Sequence, residues 1–166
     1  MTGRIAALVI VLTAAIAGIA MYYLQVYGYY TELPAQDQYE IATADGPQIL
    51  PIRDFRGIDS DSSPLRYRAC FTLDAPLPAL VDRAHTEPLN APGWFDCFDA
   101  ETIGEDLLAG NARAVMVHEN QPWGFDRVMA LYPDGRAYVW PMTNHCGDAV
   151  FDGDPAPADC PPQPTR

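Results

Sequence analysis

The sequence predicts an α+β protein: an N-terminal transmembrane helix, then a small mixed or antiparallel sheet with two helices on one face, stapled by disulfides. Three observations predict it. Residues 5–26 form one apolar run whose only polar side chains, apart from two tyrosines near its end, are Thr13 and Gln25. Beyond it, short aliphatic and aromatic segments alternate with turn formers and one capped helical segment, the pattern of a sheet covered by helices. Four cysteines, Cys70, Cys97, Cys146 and Cys160, all lie in this second part. At about 100 to 200 residues per domain, the chain has room for one domain.

The apolar run comes first. At about 1.5 Å per residue it crosses a hydrocarbon core of about 30 Å. Arg4 precedes the run and acidic residues follow it, beginning with Glu32. This asymmetry places residues 1–4 in the cytoplasm and the remainder across a bacterial inner membrane, in the periplasm. Cleavage as a signal peptide is the competing reading, because Ala15, Ile16 and Ala17 form a small-x-small pattern. Against it, the run continues to Val26 and ends in Tyr22, Tyr23, Tyr27, Tyr29 and Tyr30, an aromatic belt suited to the headgroup layer. Gly3, Ala7, Ala14 and Gly18 lie near one stripe, which suits a partner helix, although an alanine-rich helix carries small residues on every face. Tyr23, Tyr27 and Tyr30 extend the stripe as candidate interface residues.

Residues 27–46 are polar and read as a juxtamembrane linker into an exported domain over 47–153. Residues 47–52 and 65–73 are strand candidates by apolar and aromatic content. Residues 76–85 place Leu77, Leu80, Val81 and Ala84 at helical spacing. Asp99 reads as an N-cap, with Glu101, Glu105 and Asp106 in the early turns and Gly110 as a left-handed stop. Residues 114–119 form a third strand. Residues 125–132 and 136–140 flank Pro133, Asp134 and Gly135, a hairpin turn. Val128, Ala130 and Tyr132 opposite Ala137 and Val139 suit one packed face, and Met129 and Leu131 imply cover on the other. Residues 154–166 carry five prolines and read as an extended tail.

Charge is uneven along the chain. The whole carries −12, and the part after Thr31 sets nine arginines against twenty-two acids, a net of −13. There is no lysine, which excludes a P-loop, a Schiff base and a Ser-Lys dyad and argues against a nucleic-acid partner. An even number of cysteines in an exported domain suits two bridges. Three pairings are possible, and loop proximity favours Cys70 with Cys97 and Cys146 with Cys160, each stabilising by about 3 kcal/mol in the chain-entropy model.

Neither Cys-x-x-Cys nor Cys-x-x-Cys-His is present, so the strong thiol-exchange and haem patterns are missing. Met142, His145 and Cys146 sit within five residues and, with His118, are ligand types suited to copper; that reading requires a free Cys146. Asp59 with Asp61, and Asp148 with Asp152 and Asp154, offer oxygen ligands for calcium but lack the EF-hand order; solvated turns explain them more simply. The serines, Ser60, Ser62 and Ser63, share one acidic loop, so no Gly-x-Ser-x-Gly elbow exists. A histidine base, His85, His118 or His145, has no nucleophile if the cysteines are oxidised. Trp123 and Phe125 beside Pro122 and Gly124 form either a partner-facing anchor or a loop folded into the core.

Gly3-Arg4-Ile5, Met21-Tyr22-Tyr23-Leu24-Gln25-Val26-Tyr27 and the hairpin Asp126-Arg127-Val128-Met129-Ala130-Leu131-Tyr132-Pro133-Asp134-Gly135-Arg136 resemble an uncharacterised family of short, single-span alphaproteobacterial membrane proteins. The resemblance implies membrane anchoring and a shared soluble domain, and it brings no activity or catalytic residue. The favoured expectation is a non-catalytic, membrane-anchored interaction domain, an accessory or assembly component of an envelope or respiratory complex. Its partners are the bilayer and another protein. A copper-handling protein and an unrecognised exported enzyme are the alternatives.

Overall fold

The computed structural model describes residues 3–164 apart from Ala75 and His85. Helix α1 (Gly3–Tyr23) is followed by a π-helical turn (Leu24–Gly28), and together they make one helix long and apolar enough to cross a membrane. Thr13 satisfies its hydroxyl within the helix, donating to the Val9 and Ile10 carbonyls at 2.9 and 3.0 Å. No residue of α1 is buried by the protein.

Seven antiparallel strands make a curled sheet: β1 (Thr31–Glu32), β2 (Gln38–Thr43), β3 (Gly46–Asp59), β4 (Arg68–Leu73), β5 (Arg113–His118), β6 (Phe125–Leu131) and β7 (Arg136–Thr143). The order is β1-β3-β4-β7-β6-β5, with β2 paired to the first half of β3. A bulge between Arg53 and Arg56, with Asp54 at φ 56°, bends β3 so that its two halves serve different neighbours. The bend swings β2 round towards β5. Residues 79–83 fill the gap: the Ala44 amide donates to the Ala79 carbonyl at 2.8 Å and the Met116 amide to the Val81 carbonyl at 2.8 Å.

The expected helix over 76–85 is therefore an edge-bridging segment. Pro76 and Pro78 supply no amide donors and resist helix, whereas the open edges of β2 and β5 offer backbone partners. Its last residue, His85, is outside the described residues. Residues 27–46 also differ from a linker. Tyr39, Ile41 and Thr43 alternate with exposed or half-buried neighbours and point inward from β2.

The inner face of the curl holds Ile41, Val115, Met129, Ala137 and Val139, all with no exposed surface. On the outer face, Ile58, Val128, Ala130 and Trp140 are covered by Phe95, Phe98 and Ile103. Both faces of β6 are thus packed, as its alternation requires. Helix α2 (Ala100–Ala109) begins at Asp99, whose carboxylate accepts from the Glu101 and Thr102 amides, and stops at Gly110 with φ 77°. Helix α3 (His145–Phe151) starts at Asn144, whose side chain accepts from the Cys146 and Gly147 amides.

Bridges join Cys70 to Cys97 and Cys146 to Cys160. The first ties β4 to the segment covering the outer face. The second ties the tail to the start of α3.

Candidate functional site

Polar side chains converge where the start of β6, the 119–124 loop, α3 and the tail meet. They line a cavity of about 470 Å³. Its pivot is Asp126, 3% exposed. One carboxylate oxygen accepts from the Asn120 amide and the Asn144 side-chain amide, both at 2.9 Å, and the other pairs with Arg83 at 3.0 Å. Asn120 stands at φ 51°, a left-handed conformation that asparagine tolerates better than most residues, and its side-chain oxygen accepts from the Gly124 amide at 2.6 Å. A Cβ on Gly147 would collide with the Gly124 carbonyl, so only glycine lets α3 approach the loop this closely.

The tail closes one side of the cavity with Asp159 and Pro161. Trp123 Nε1 donates to the Pro161 carbonyl at 2.9 Å, and Phe125 packs on Phe151 with ring centroids 5.2 Å apart. Both aromatics are half-buried. The two readings of this segment thus meet in one arrangement, a loop held by the chain's own tail with part of its aromatic surface outward.

His145 Nε2 lies 2.9 Å from an Asp159 oxygen and 3.6 Å from each sulfur of the Cys146–Cys160 bridge. The Asp159 carboxyl is held below its usual range by its own backbone amide and then by the imidazole. Cys146 is in a disulfide and offers no thiolate in this state. Met142 packs in the outer-face core, and His118 turns away, with Nε2 3.3 Å from the Glu40 carbonyl. Burial, and then the nearby Arg127 charge, push the His118 imidazole down. Of the copper set read from sequence, His145 and Cys146 stand together, while Met142 and His118 pack against other groups.

The acids of the two loops sit in turns and at helix ends. Asp59 accepts from the Ser60 amide at 2.7 Å, while Asp148 lies in the first turn of α3 and Asp152 caps its end. Glu119 and Asp159 leave the cavity rim acidic, opposed by Arg83.

A second constellation lies where the apolar helix meets the domain. Trp94 Nε1 donates to the Val26 carbonyl at 2.6 Å, using a helix-end carbonyl that lacks an intrahelical partner. Tyr27 stacks on Trp94 at 6.2 Å, Tyr30 meets its edge at 6.1 Å, and Tyr23 stacks on Tyr27 at 6.0 Å. Arg66 lies over Tyr30 at 5.3 Å. The sequence marks these tyrosines but not Trp94 or Arg66, since nothing local links them across more than thirty residues of chain.

Arg68 also escaped the sequence reading. It is 3% exposed, and its guanidinium donates to the Leu65, Tyr67, Leu89 and Asn90 carbonyls at 2.6 to 3.0 Å. Burial pushes its pKa down to about 10. A strand pattern hides this role because arginine at that position reads as solvent-facing.

No curated protein and no solved structure matches the chain. A family model matches residues 38–161, from the first residue of β2 to the one after Cys160, so the matched region includes the cavity and its tail wall. On that match the chain belongs to the family of unknown function DUF6446.

Proposed function

We propose that this chain is a non-catalytic interaction domain tethered to the outer face of a bacterial inner membrane, serving as an accessory or assembly component of an envelope or respiratory complex. The observation that carries the reading is the Trp94 to Val26 hydrogen bond with its collar of stacked tyrosines. It joins the apolar helix to the folded domain directly, so the domain is held in one orientation rather than on a free linker. A fixed orientation matters for a protein that presents a surface to a membrane neighbour.

Two further features support it. The sulfurs are oxidised and Asp126 is spent on three partners, which leaves the cavity without an activated nucleophile. The net charge of −13 on the part after Thr31 and the acidic rim formed by Glu119 and Asp159 suit a partner with a basic face. Phe151, 54% exposed and packed on Phe125, supplies apolar surface on α3.

Gentle solubilisation of native membranes followed by cross-linking and mass spectrometry tests this. The expected product is a full-length chain with helix α1 retained, linked to a membrane-complex subunit through residues near Trp123 or Glu119. Recovery of an uncross-linked chain alone would remove the interaction reading, and a chain shortened after Ala17 would remove the tether.

A further inference from the structure

We infer that reduction of the Cys146–Cys160 bridge converts the corner between α3 and the tail into a zinc site, with Cys146 Sγ, Cys160 Sγ and His145 Nε2 as protein ligands and Asp159 beside the fourth position. This goes beyond tethering and does not depend on any partner.

The geometry is close to complete. His145 Nε2 stands 3.6 Å from each sulfur, and these ligand atoms all lie within 4.8 Å of one another. In a tetrahedral centre with Zn–S of about 2.3 Å and Zn–N of about 2.0 Å, the sulfur-to-nitrogen edge is about 3.5 Å. Both such edges are therefore already in place. Only the sulfur-to-sulfur edge must open, and breaking the bond permits that.

The positions outlast the bridge. Cys146 is the second residue of α3, with its amide bonded to the Asn144 cap side chain at 3.1 Å. Cys160 lies in a turn closed by its amide to the Pro157 carbonyl at 3.1 Å, and the next residue is held by Trp123. Two thiolates, an imidazole and a neighbouring carboxylate suit zinc, whereas cuprous ion favours softer sets without carboxylate.

The redox step balances with an external dithiol. Its thiolate attacks Cys160 Sγ, the more exposed sulfur, because Cys146 is only 3% exposed. The disulfide bond breaks and Cys146 leaves as thiolate. The reductant's second thiol then closes its own disulfide and releases Cys160. Two electrons pass to the cysteine pair, the reductant is oxidised, and Zn²⁺ displaces the thiol protons and the proton that His145 Nε2 donates to Asp159, leaving a neutral imidazole with its hydrogen on Nδ1. Bridge and metal are alternative states of one corner.

The test uses the full chain in detergent micelles, reduced with dithiothreitol, desalted without oxygen and titrated with Co²⁺ as a spectroscopic stand-in for zinc. The expected result is one Co²⁺ per chain, with thiolate charge-transfer and tetrahedral d–d bands that one equivalent of Zn²⁺ abolishes. His145→Ala, which keeps the bridge and is checked for folding before reduction, is expected to weaken binding at least about tenfold. The oxidised chain is expected to bind none. Absence of the bands from the reduced chain overturns the inference. So does wild-type affinity in His145→Ala, or undiminished binding in a Cys146→Ser/Cys160→Ser chain.

Discussion

Asp126 carries more structure than its place at the start of a strand suggests. Its carboxylate joins the 119–124 loop, the α3 cap and Arg83 through contacts of 2.9 to 3.0 Å. Removing one member of a buried ion pair leaves its partners unsatisfied, so Asp126→Ala is expected to cost about 3 kcal/mol. Asp126→Asn, which keeps an acceptor, is expected to cost less; urea unfolding of both variants measures the difference. His118 makes a pH-dependent contribution. Burial and the Arg127 charge lower its pKa from 6.5, opposed by the Glu40 carbonyl and carboxylate. The native state then binds fewer protons than the unfolded chain just below that value, so stability rises with pH there. The contribution is fully present above 6.5 and is lost as pH falls from 6.5 towards the lowered native value. His118→Gln is expected to flatten this part of the stability profile, read as urea midpoints between about pH 5 and about pH 8. Neither role was legible in the sequence, because both depend on which distant groups the sheet brings alongside. The cysteines are different: an even count and short loops favour the two pairs that form.

At the scale of elements, legibility followed how local the cause was. The α2 helix is set by its own ends, and Asp99, Gly110 and the acidic first turn mark it without help from the rest of the chain. Asp99→Ala is expected to cost about 1 kcal/mol by removing acceptors for two amides, measured by chemical denaturation against Asp99→Ser, which retains a cap. The β6–β7 hairpin was equally legible from its turn and alternation. Segments whose state depends on neighbours were not. Residues 79–83 have helical spacing yet lie between two strand edges, because satisfying open backbone groups outweighs a weak local preference. The β2 strand was obscured by a polar surround, although Tyr39, Ile41 and Thr43 already carried the alternation. In α3 the signal was Asn144, a cap followed by an acid in the first turn, overshadowed by the ligand types clustered beside it. The cavity was least visible of all, since its walls come from five separate stretches of chain.

The whole molecule combines an apolar helix, whose one charged side chain is Arg4, with an acidic domain, and that combination has a mechanical consequence. The part after Thr31, with a net charge of −13, is repelled from an anionic bilayer surface over a screening distance of about 8 Å at physiological ionic strength. On the tethered reading proposed above, the collar opposes that repulsion. Trp94 receives Tyr27 and Tyr30 and bonds the Val26 carbonyl, while Arg66 places a cation over Tyr29 and Tyr30 at the same end. Trp94→Phe keeps a ring for stacking and loses the hydrogen bond; Trp94→Ala loses both. Hydrogen exchange of the chain in lipid nanodiscs separates the two. In Trp94→Ala, the Tyr29 and Tyr30 amides, bonded to the Leu24 and Tyr27 carbonyls at 3.1 and 3.2 Å, are expected to exchange faster, with β6 and β7 unchanged. Trp94→Phe is expected to fall between that variant and the wild type. Because the opposing force is electrostatic, the loss is expected to be larger in anionic than in zwitterionic discs and to shrink as salt is raised. Equal exchange in all three chains would mean that the collar does not hold the domain, and an increase independent of lipid charge would mean that repulsion is not what it opposes.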